Sequence, residues 1–199
     1  AIVEQVGRPG SESEWVSVEN AAAAVFSGHP WSLSGGGAAE LFAHFDRIRS
    51  RLSDVLRESG RTTHTGLDDA FYLPYTAAHT RGLANGCVPV VLGDGLRDYA
   101  LTAPTRTFFP YSSDGEPREL DQREHEFLWP DRTVLRQRID FGQTPEQRGL
   151  RWYDHSMFFP RRFRSPLSIA FAFVATHNHF VLDRGGKVFN RSAPVIKLP

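Results

Sequence analysis

The sequence predicts an α+β protein: a single domain on a twisted, mainly antiparallel sheet, with one long amphipathic helix at about 38–59 and one or two short helices. Three observations lead there. Apolar residues recur at spacings of three and four between Leu41 and Leu56, the period of a helix with one buried face. Elsewhere they come in short runs, such as 70–73, 87–92 and 167–175, punctuated by Gly, Asp and Pro in the manner of strands. Finally, 199 residues with 40% apolar content suffice for one good core, whereas two full domains would stretch them.

In chain order, residues 1–37 read as an irregular lead-in with one candidate strand, Trp15-Val16-Ser17-Val18, whose Trp and Val suit a pleated surface. An alanine run and Gly35-Gly36-Gly37 follow. Residues 38–199 form the domain proper. In its long helix, Leu41, Phe42, Phe45, Ile48, Leu52, Val55 and Leu56 make the apolar stripe, Arg47, Arg49, Arg51 and Asp54 lie mostly opposite, and Gly60 supplies the stop. Residues 61–111 are expected as short strands and turns, with Pro89 arguing for an edge position or a strand start. The acidic, turn-rich stretch 112–126 is expected to loop out. Pro130 then fits the first turn of a helix over 131–138, on which Val134, Leu135 and Ile139 share a face. Last come a buried strand at 167–175 and a hairpin of 180–182 with 187–190 around Asp183-Arg184-Gly185-Gly186.

Charge is the second source of information. The net charge is zero, yet from residue 151 onward eight Lys or Arg face only Asp154 and Asp183, so this segment carries +6 and the rest −6. A segregated basic segment points to a polyanionic partner. Of 23 basic residues, all but Lys187 and Lys197 are arginine, which suits bidentate recognition of phosphate and guanine, although a G+C-rich codon bias gives the same preference. Neither a long apolar span nor a basic-then-apolar leader is present, so no membrane partner is expected, and the single Cys87 fits a reducing, cytoplasmic setting.

Motifs for chemistry are weak. His177 and His179 flank Asn178 at a spacing that puts both rings on one face of a strand, open to contact with base edges or phosphate, to metal binding, or to a structural role; a full ligand set is not evident nearby. Gly93-Asp94-Gly95 lacks the third glycine and the following helix of a nucleotide-binding loop. The acidic pairs Asp68-Asp69 and Glu124/Glu126 have no linking motif, and Cys87 has no flanking signature. No catalytic residue and no metal ligand is assigned.

The order of short signals carries more than any one of them. Gly95-Leu96-Arg97-Asp98-Tyr99, Phe109-Pro110-Tyr111, Leu128-Trp129-Pro130 with Leu135-Arg136-Gln137-Arg138, Arg151-Trp152-Tyr153 and the long stretch 169–198 stand in a familiar series. The series resembles the carboxy-terminal target-recognition region of fused adenine-specific DNA methyltransferases, including type IIG restriction-modification enzymes, and most of all the PglX-like methyltransferases of phage-growth-limitation (BREX-type) defence systems. The likeness covers about 15–199 and is most specific over its end. It implies a parent enzyme whose Rossmann-like domain binds S-adenosylmethionine through a Gly-rich loop and flips adenine into an Asn-Pro-Pro-Tyr pocket. Neither motif stands in this sequence, and Phe109-Pro110-Tyr111 lacks the asparagine.

The resemblance therefore implies a fragment of a longer chain, cut within its last strand, that is catalytically silent alone and holds no cofactor of its own. Its expected partners are double-stranded DNA, the catalytic methyltransferase domain of the same parent chain, and other defence-system subunits. Arg161, Arg162, Arg164, Arg184 and Lys187 are the candidates for phosphates; Arg97, Asp98, His177 and Asn178 are those for base edges, since Arg suits guanine and Asn suits adenine. The alternative class is a protein-interaction module that docks onto another defence-system subunit or an acidic phage protein through aromatic and Arg anchors.

Overall fold

The structure, a computed structural model, describes residues 2–27 and 38–198, with side chains undescribed at Val25 and at 38–40; the glycine triplet 35–37 lies outside the described residues. Contacts within the chain divide it into two compact units, 1–54 and 55–199. The first holds α1 (Ile2–Val6), an antiparallel pair of β1 (Ser11–Glu12) with β2 (Ser17–Val18), and α2 (Ala38–Asp46). The candidate strand at 15–18 thus forms over its second half.

The long helix expected at 38–59 forms only over its first nine residues, Ala38–Asp46. Helix α2 stops at Asp46, one turn α3 (Leu52–Val55) follows, and Glu58–Gly60 is strand β3. Two local causes act. Arg47 and Arg51 would face each other as like charges one helical turn apart. Instead, the Arg51 guanidinium folds back onto the Asp46 carboxylate (2.7 Å) and carbonyl (3.0 Å), and the Arg51 N–H donates to the Asp54 carboxylate at 2.7 Å. Beyond them, β3 gains a full ladder with the last strand of the chain, so a long-range pairing overrides the local period. Leu41, Phe42, Phe45 and Ile48 remain exposed instead of forming a core stripe.

In the second unit the elements after β3 are β4 (Thr63–His64), α4 (Asp68–Phe71), β5 (Tyr72–Pro74), α5 (Tyr75–Thr80), β6 (Cys87–Val91), β7 (Leu96–Arg97), β8 (Ala100–Leu101) and β9 (Thr105–Phe108). Then come α6 (Gln122–Leu128), α7 (Arg132–Gln137), β10 (Met157–Phe158), α8 (Pro160–Arg164), β11 (Ser168–Phe171), β12 (Phe180–Asp183), β13 (Val188–Phe189) and β14 (Val195–Lys197). The class is α+β and mostly antiparallel, but the strands are shared among several sheets. One has the order β12-β11-β14-β3, a second β13-β6-β9-β5, and β10–β4 and β7–β8 are separate pairs.

The chain's last third explains why one sheet becomes two. Strand β12 pairs with β11 over four residues, while β13 leaves that sheet and joins β6 in parallel, the exception among the pairings. The expected hairpin around Asp183-Arg184-Gly185-Gly186 is therefore a crossing between sheets. The Asp183 carboxylate shapes it, accepting from the Gly185 N–H (2.8 Å) and Lys187 Nζ (2.6 Å), and Gly185 and Gly186 take the positive φ that such a corner requires.

Three smaller expectations are also revised. The stretch 112–126 does not loop out entirely: Asp121 caps α6 reciprocally with Glu124, satisfying two N–H groups at the helix start. Pro89 sits in a strand that is second in its sheet, but at Pro89 only β9 is paired and β13 engages Val90 and Val91 beyond it, so the missing N–H meets an open side. The run 70–73 splits between α4 and β5.

Burial is concentrated in Phe71, Phe108, Phe189, Leu96, Leu128, Leu135, Val90, Val91, Val188 and Val195. Each contributes about 1.5–3 kcal/mol of apolar transfer. Two of the buried polar residues hold distant segments together. His155 shares a hydrogen bond of 2.5 Å at Nδ1 with the Thr63 hydroxyl, and its Nε2 donates to the Phe108 carbonyl at 2.8 Å. Arg138 donates to the carbonyls of Leu135, Thr65, Trp152 and Asp154. These two side chains tie the segment 152–156 to the sheets and so fix where α8 and β11 begin.

Candidate nucleic-acid interface

The nine residues singled out for DNA contact fall into two clusters at opposite ends of the β11–β12 ladder. Its four paired residues span roughly 10 Å at about 3.4 Å per step. At one end lies the loop 172–179 with the β7–β8 hairpin; at the other lie α8 and the 184–187 corner.

The first cluster rests on Leu96, fully buried with Val91, Ala170, Val181 and Val195. That anchor holds the hairpin, whose ladder pairs Leu96 with Leu101 and Arg97 with Ala100 and leaves Asp98 and Tyr99 at the tip. The Asp98 N–H donates to His179 Nδ1 at 3.2 Å, tying the tip to the base of the 172–179 loop. With Nδ1 accepting, the His179 ring carries its proton on Nε2, so the Asp98 carboxylate 3.8 Å away is a neighbour and not an ion partner in that state. Arg97 Nη1 donates to the carbonyls of Gly93 (2.8 Å) and Leu96 (2.6 Å), which orients the guanidinium. His177 and Asn178 are exposed on the loop, with His177 Nδ1 bonded to the Thr176 hydroxyl at 2.9 Å. Arg97, Asp98, His177 and Asn178 are thereby brought to one exposed surface.

Strand β11 ends at Phe171; the Ala172 and Phe173 N–H groups still donate in register to the His179 and Ser192 carbonyls, and beyond them the chain is a loop, so the one-face geometry that a strand would give His177 and His179 does not arise. Sequence reasoning also missed the apolar members of this surface, Tyr99, Phe173 and Val174, which are exposed beside the polar ones.

In the second cluster most of the phosphate candidates are already paired within the chain. Arg161, Arg162 and Arg164 stand on helix α8, and carboxylates already hold them. Glu58 takes Arg162 (3.0 Å) and Arg161 (3.4 Å), and Glu116 takes Arg164. Lys187 is likewise bound to Asp183 at 2.6 Å. Only Arg184 of the five phosphate candidates has no acidic partner among the described residues. The cluster nonetheless keeps an excess of positive charge. Arg57, Arg161, Arg164 and Lys197 line a cleft of about 390 Å³ together with a single acid, Glu58. Lys197 is buried, donates to the Ser165 carbonyl at 2.6 Å, and has its pKa lowered by that burial.

The remaining candidates for chemistry have structural duties. Glu124 is buried in a two-point ion pair with Arg118 (2.6 and 2.7 Å) beside its capping role. Burial pushes the Cys87 thiol up to about 12, which keeps it protonated and unreactive. Phe109 and Tyr111 are buried, and the Tyr111 hydroxyl accepts the His155 N–H at 3.1 Å. No group of three or more His, Cys, Asp or Glu among the described residues is placed to hold a metal. The Gly93-Asp94-Gly95 turn does not fit S-adenosylmethionine. A Cβ at Gly93 would lie 2.5 Å from the Ser192 carbonyl and one at Gly95 2.3 Å from that of Thr102, so these glycines serve backbone packing. The adjoining cavity measures about 110 Å³, well under the roughly 300 Å³ of the smallest ligand sites. No helix among the described residues is long and apolar enough to cross a membrane.

A third surface lies apart from both clusters. Trp129 is exposed on the turn before α7, with Arg132 4.9 Å over its ring and His125 and Trp152 at 5.1 and 6.5 Å.

No family model matches the chain. Over 203 aligned positions that take in all of it, the chain is 37% identical to the "Adenine-specific methyltransferase PglX" of Streptomyces coelicolor, and it spans 17% of that protein's length. The chain is homologous to a region of the adenine-specific methyltransferase PglX.

Proposed function

We propose that this chain recognises target sequence on double-stranded DNA on behalf of an S-adenosylmethionine-dependent, N6-adenine-specific DNA methyltransferase of a cytoplasmic phage-defence or restriction-modification system. Methyl transfer takes place on another part of the longer protein. The observation that carries the reading is the meeting of Arg97, Asp98, His177 and Asn178 on the exposed surface of the hairpin tip and the 172–179 loop. Guanidinium, amide, carboxylate and imidazole are the groups that discriminate base edges in the major groove. A methyltransferase that flips its target base needs a second surface to hold the duplex and select the site, and homology to a region of such an enzyme supports that division of labour.

The α8 cluster then supplies phosphate contacts by exchange, a phosphate oxygen replacing Glu58 or Glu116 on guanidinium groups that are already oriented. Titrating labelled duplex with this chain at two salt concentrations tests the reading. The expected affinity is on the order of 10⁻⁴–10⁻⁶ M and falls steeply with salt, with a log–log slope of about −3 if three or four phosphates are neutralised. Glu58→Gln removes a carboxylate that competes for Arg161 and Arg162, and should tighten binding about threefold. An absence of duplex binding at low salt overturns the reading, and unchanged affinity in Glu58→Gln removes α8 from it.

A second reading, docking onto another protein, is favoured by the exposed Trp129 with Arg132 stacked on it, the pairing of residues typical of interface anchors. Pull-down with and without nuclease separates the two.

A further inference from the structure

We propose that Tyr99 is a wedge that the hairpin tip holds out to enter a base step of the bound duplex and stack on the base it uncovers; the inference rests on the DNA-recognition reading above. Three independent features of the tip converge on this assignment.

The first is backbone conformation. Asp98 and Tyr99 are the two loop residues of the β7–β8 hairpin and both have positive φ, 48° and 65°. A two-residue turn of this kind favours Asn-Gly or Asp-Gly, because only glycine enters the left-handed region without a Cβ clash. Aspartate is tolerated there, but tyrosine is not expected. A bulky side chain is therefore retained where the turn itself would be better served by glycine, and residues in strained conformations cluster at ligand-contacting positions.

The second is exposure without a partner. Tyr99 is 81% exposed, and its hydroxyl makes no hydrogen bond among the described residues. Phe173 and Val174, 66% and 84% exposed, stand on the neighbouring 172–179 loop, to which the tip is tied by the bond from the Asp98 N–H to His179. The third is rigidity beneath the tip. Leu96 is fully buried, the Thr102 N–H closes onto the Gly95 carbonyl at 2.9 Å, and Arg97 is bonded to the backbone below it. An aromatic ring on a fixed mount loses little freedom on binding, which is what a stacking platform requires.

The polar surroundings select the occupant. Arg97, His177 and Asn178 border the aromatic tip with groups that pair with base edges and phosphates, and Arg97 and Asp98 immediately precede Tyr99 in sequence. In a paired duplex the base faces are covered by their neighbours, so the ring reaches one by parting a base step, while these side chains reach the edges from the groove. Stacking on an aromatic ring is tolerant of base identity, so Tyr99 contributes affinity and register while its neighbours contribute discrimination.

The test compares wild type, Tyr99→Phe, Tyr99→Ala and Tyr99→Gly for binding of a mixed-sequence duplex at two salt concentrations, together with thermal unfolding. Tyr99→Phe should bind within about twofold of wild type. Tyr99→Ala and Tyr99→Gly should lose about tenfold or more with the salt slope unchanged, because a stacked ring releases no counterion. Tyr99→Gly should melt about 2 °C higher than wild type, as relief of a left-handed tyrosine requires. Wild-type binding with Tyr99→Ala equally tight would overturn the stacking assignment and leave DNA recognition standing. A flatter salt slope in Tyr99→Ala would also overturn it, in favour of a phosphate-positioning role. If wild type itself fails to bind duplex, the assignment falls together with the reading beneath it. If Tyr99→Ala spares duplex affinity but abolishes a nuclease-resistant protein complex, the occupant is a protein.

Discussion

Replacing Arg138 by Met should destabilise the 55–199 unit by about 3–5 kcal/mol, the range for removing one partner from a buried, charge-assisted network. The guanidinium is buried and stays charged even though burial lowers its pKa. Its partners are four carbonyl oxygens from three separate segments: Leu135 at the end of α7, Thr65 after β4, and Trp152 and Asp154 in the stretch before β10. The Trp152 and Asp154 carbonyls have no other donor among the described residues. Methionine fills much of the volume but leaves those oxygens dry. Arg138→Lys keeps the charge at a single point and cannot fork to all four, so it should recover less than half the loss. Urea unfolding followed by far-ultraviolet circular dichroism checks both variants. A loss below about 1 kcal/mol in Arg138→Met would contradict the role given to this side chain.

Acid should weaken the same unit through His155. Burial drives its pKa from the ordinary imidazole value down to about 3, only partly opposed by its bond to the Phe108 carbonyl and reinforced by Arg138. The native state therefore holds His155 neutral between pH 6.5 and 3, whereas the unfolded chain takes up a proton there. The unfolded state binds more protons, so stability rises with pH across this window and is lost as pH falls, at about 1.4 kcal/mol per unit for one proton. The full window amounts to something on the order of 5 kcal/mol. His64 acts in the same direction, its pKa lowered by burial and then by Arg61. In His155→Gln an amide can still donate toward Phe108 but cannot titrate. That variant should be weaker by about 1–2 kcal/mol at pH 7 and should lose about one proton's worth of the pH slope. Urea midpoints at pH 7, 5.5 and 4 measure this. An unchanged slope in His155→Gln would mean that another group carries the acid sensitivity.

These two residues also show the reach of sequence reasoning. Arg138 appeared within Leu135-Arg136-Gln137-Arg138 and His155 entered no motif, and nothing local says that either is buried. Their partners lie up to 92 positions away in sequence. The mixed class, the apolar run that became β6 and the helix around Val134 were legible because period and turn residues are local. The capping box at Asp121 and Glu124 was equally local and would have located α6 had the spacing of acid to acid been weighed above the acidity of the stretch. By contrast, the split of the last third between two sheets depends on β13 finding β6, and the end of α2 depends in part on β3 finding β14; both are long-range pairings.

The candidate interface was legible in its residue types and not in their state. Basic side chains were visible as charge, but the carboxylates that hold them, Glu58 and Glu116, come from distant segments. The nine residues were already sorted into the same two groups by side-chain type, but their separation by the β11–β12 ladder depends on strand pairing and is not local. Tyr99 stood within a quoted motif, yet its importance comes from a positive φ that no propensity predicts for tyrosine.

On the proposed reading the chain meets DNA at the hairpin tip and the 172–179 loop, with α8 against the phosphates. Amide hydrogen exchange of the chain with and without saturating duplex at low salt measures this directly. Slowed exchange at 96–101 and 172–179, with a smaller effect at 160–165, is the expected pattern. Protection confined to the segment around Trp129, or none in the two tip segments, would contradict it.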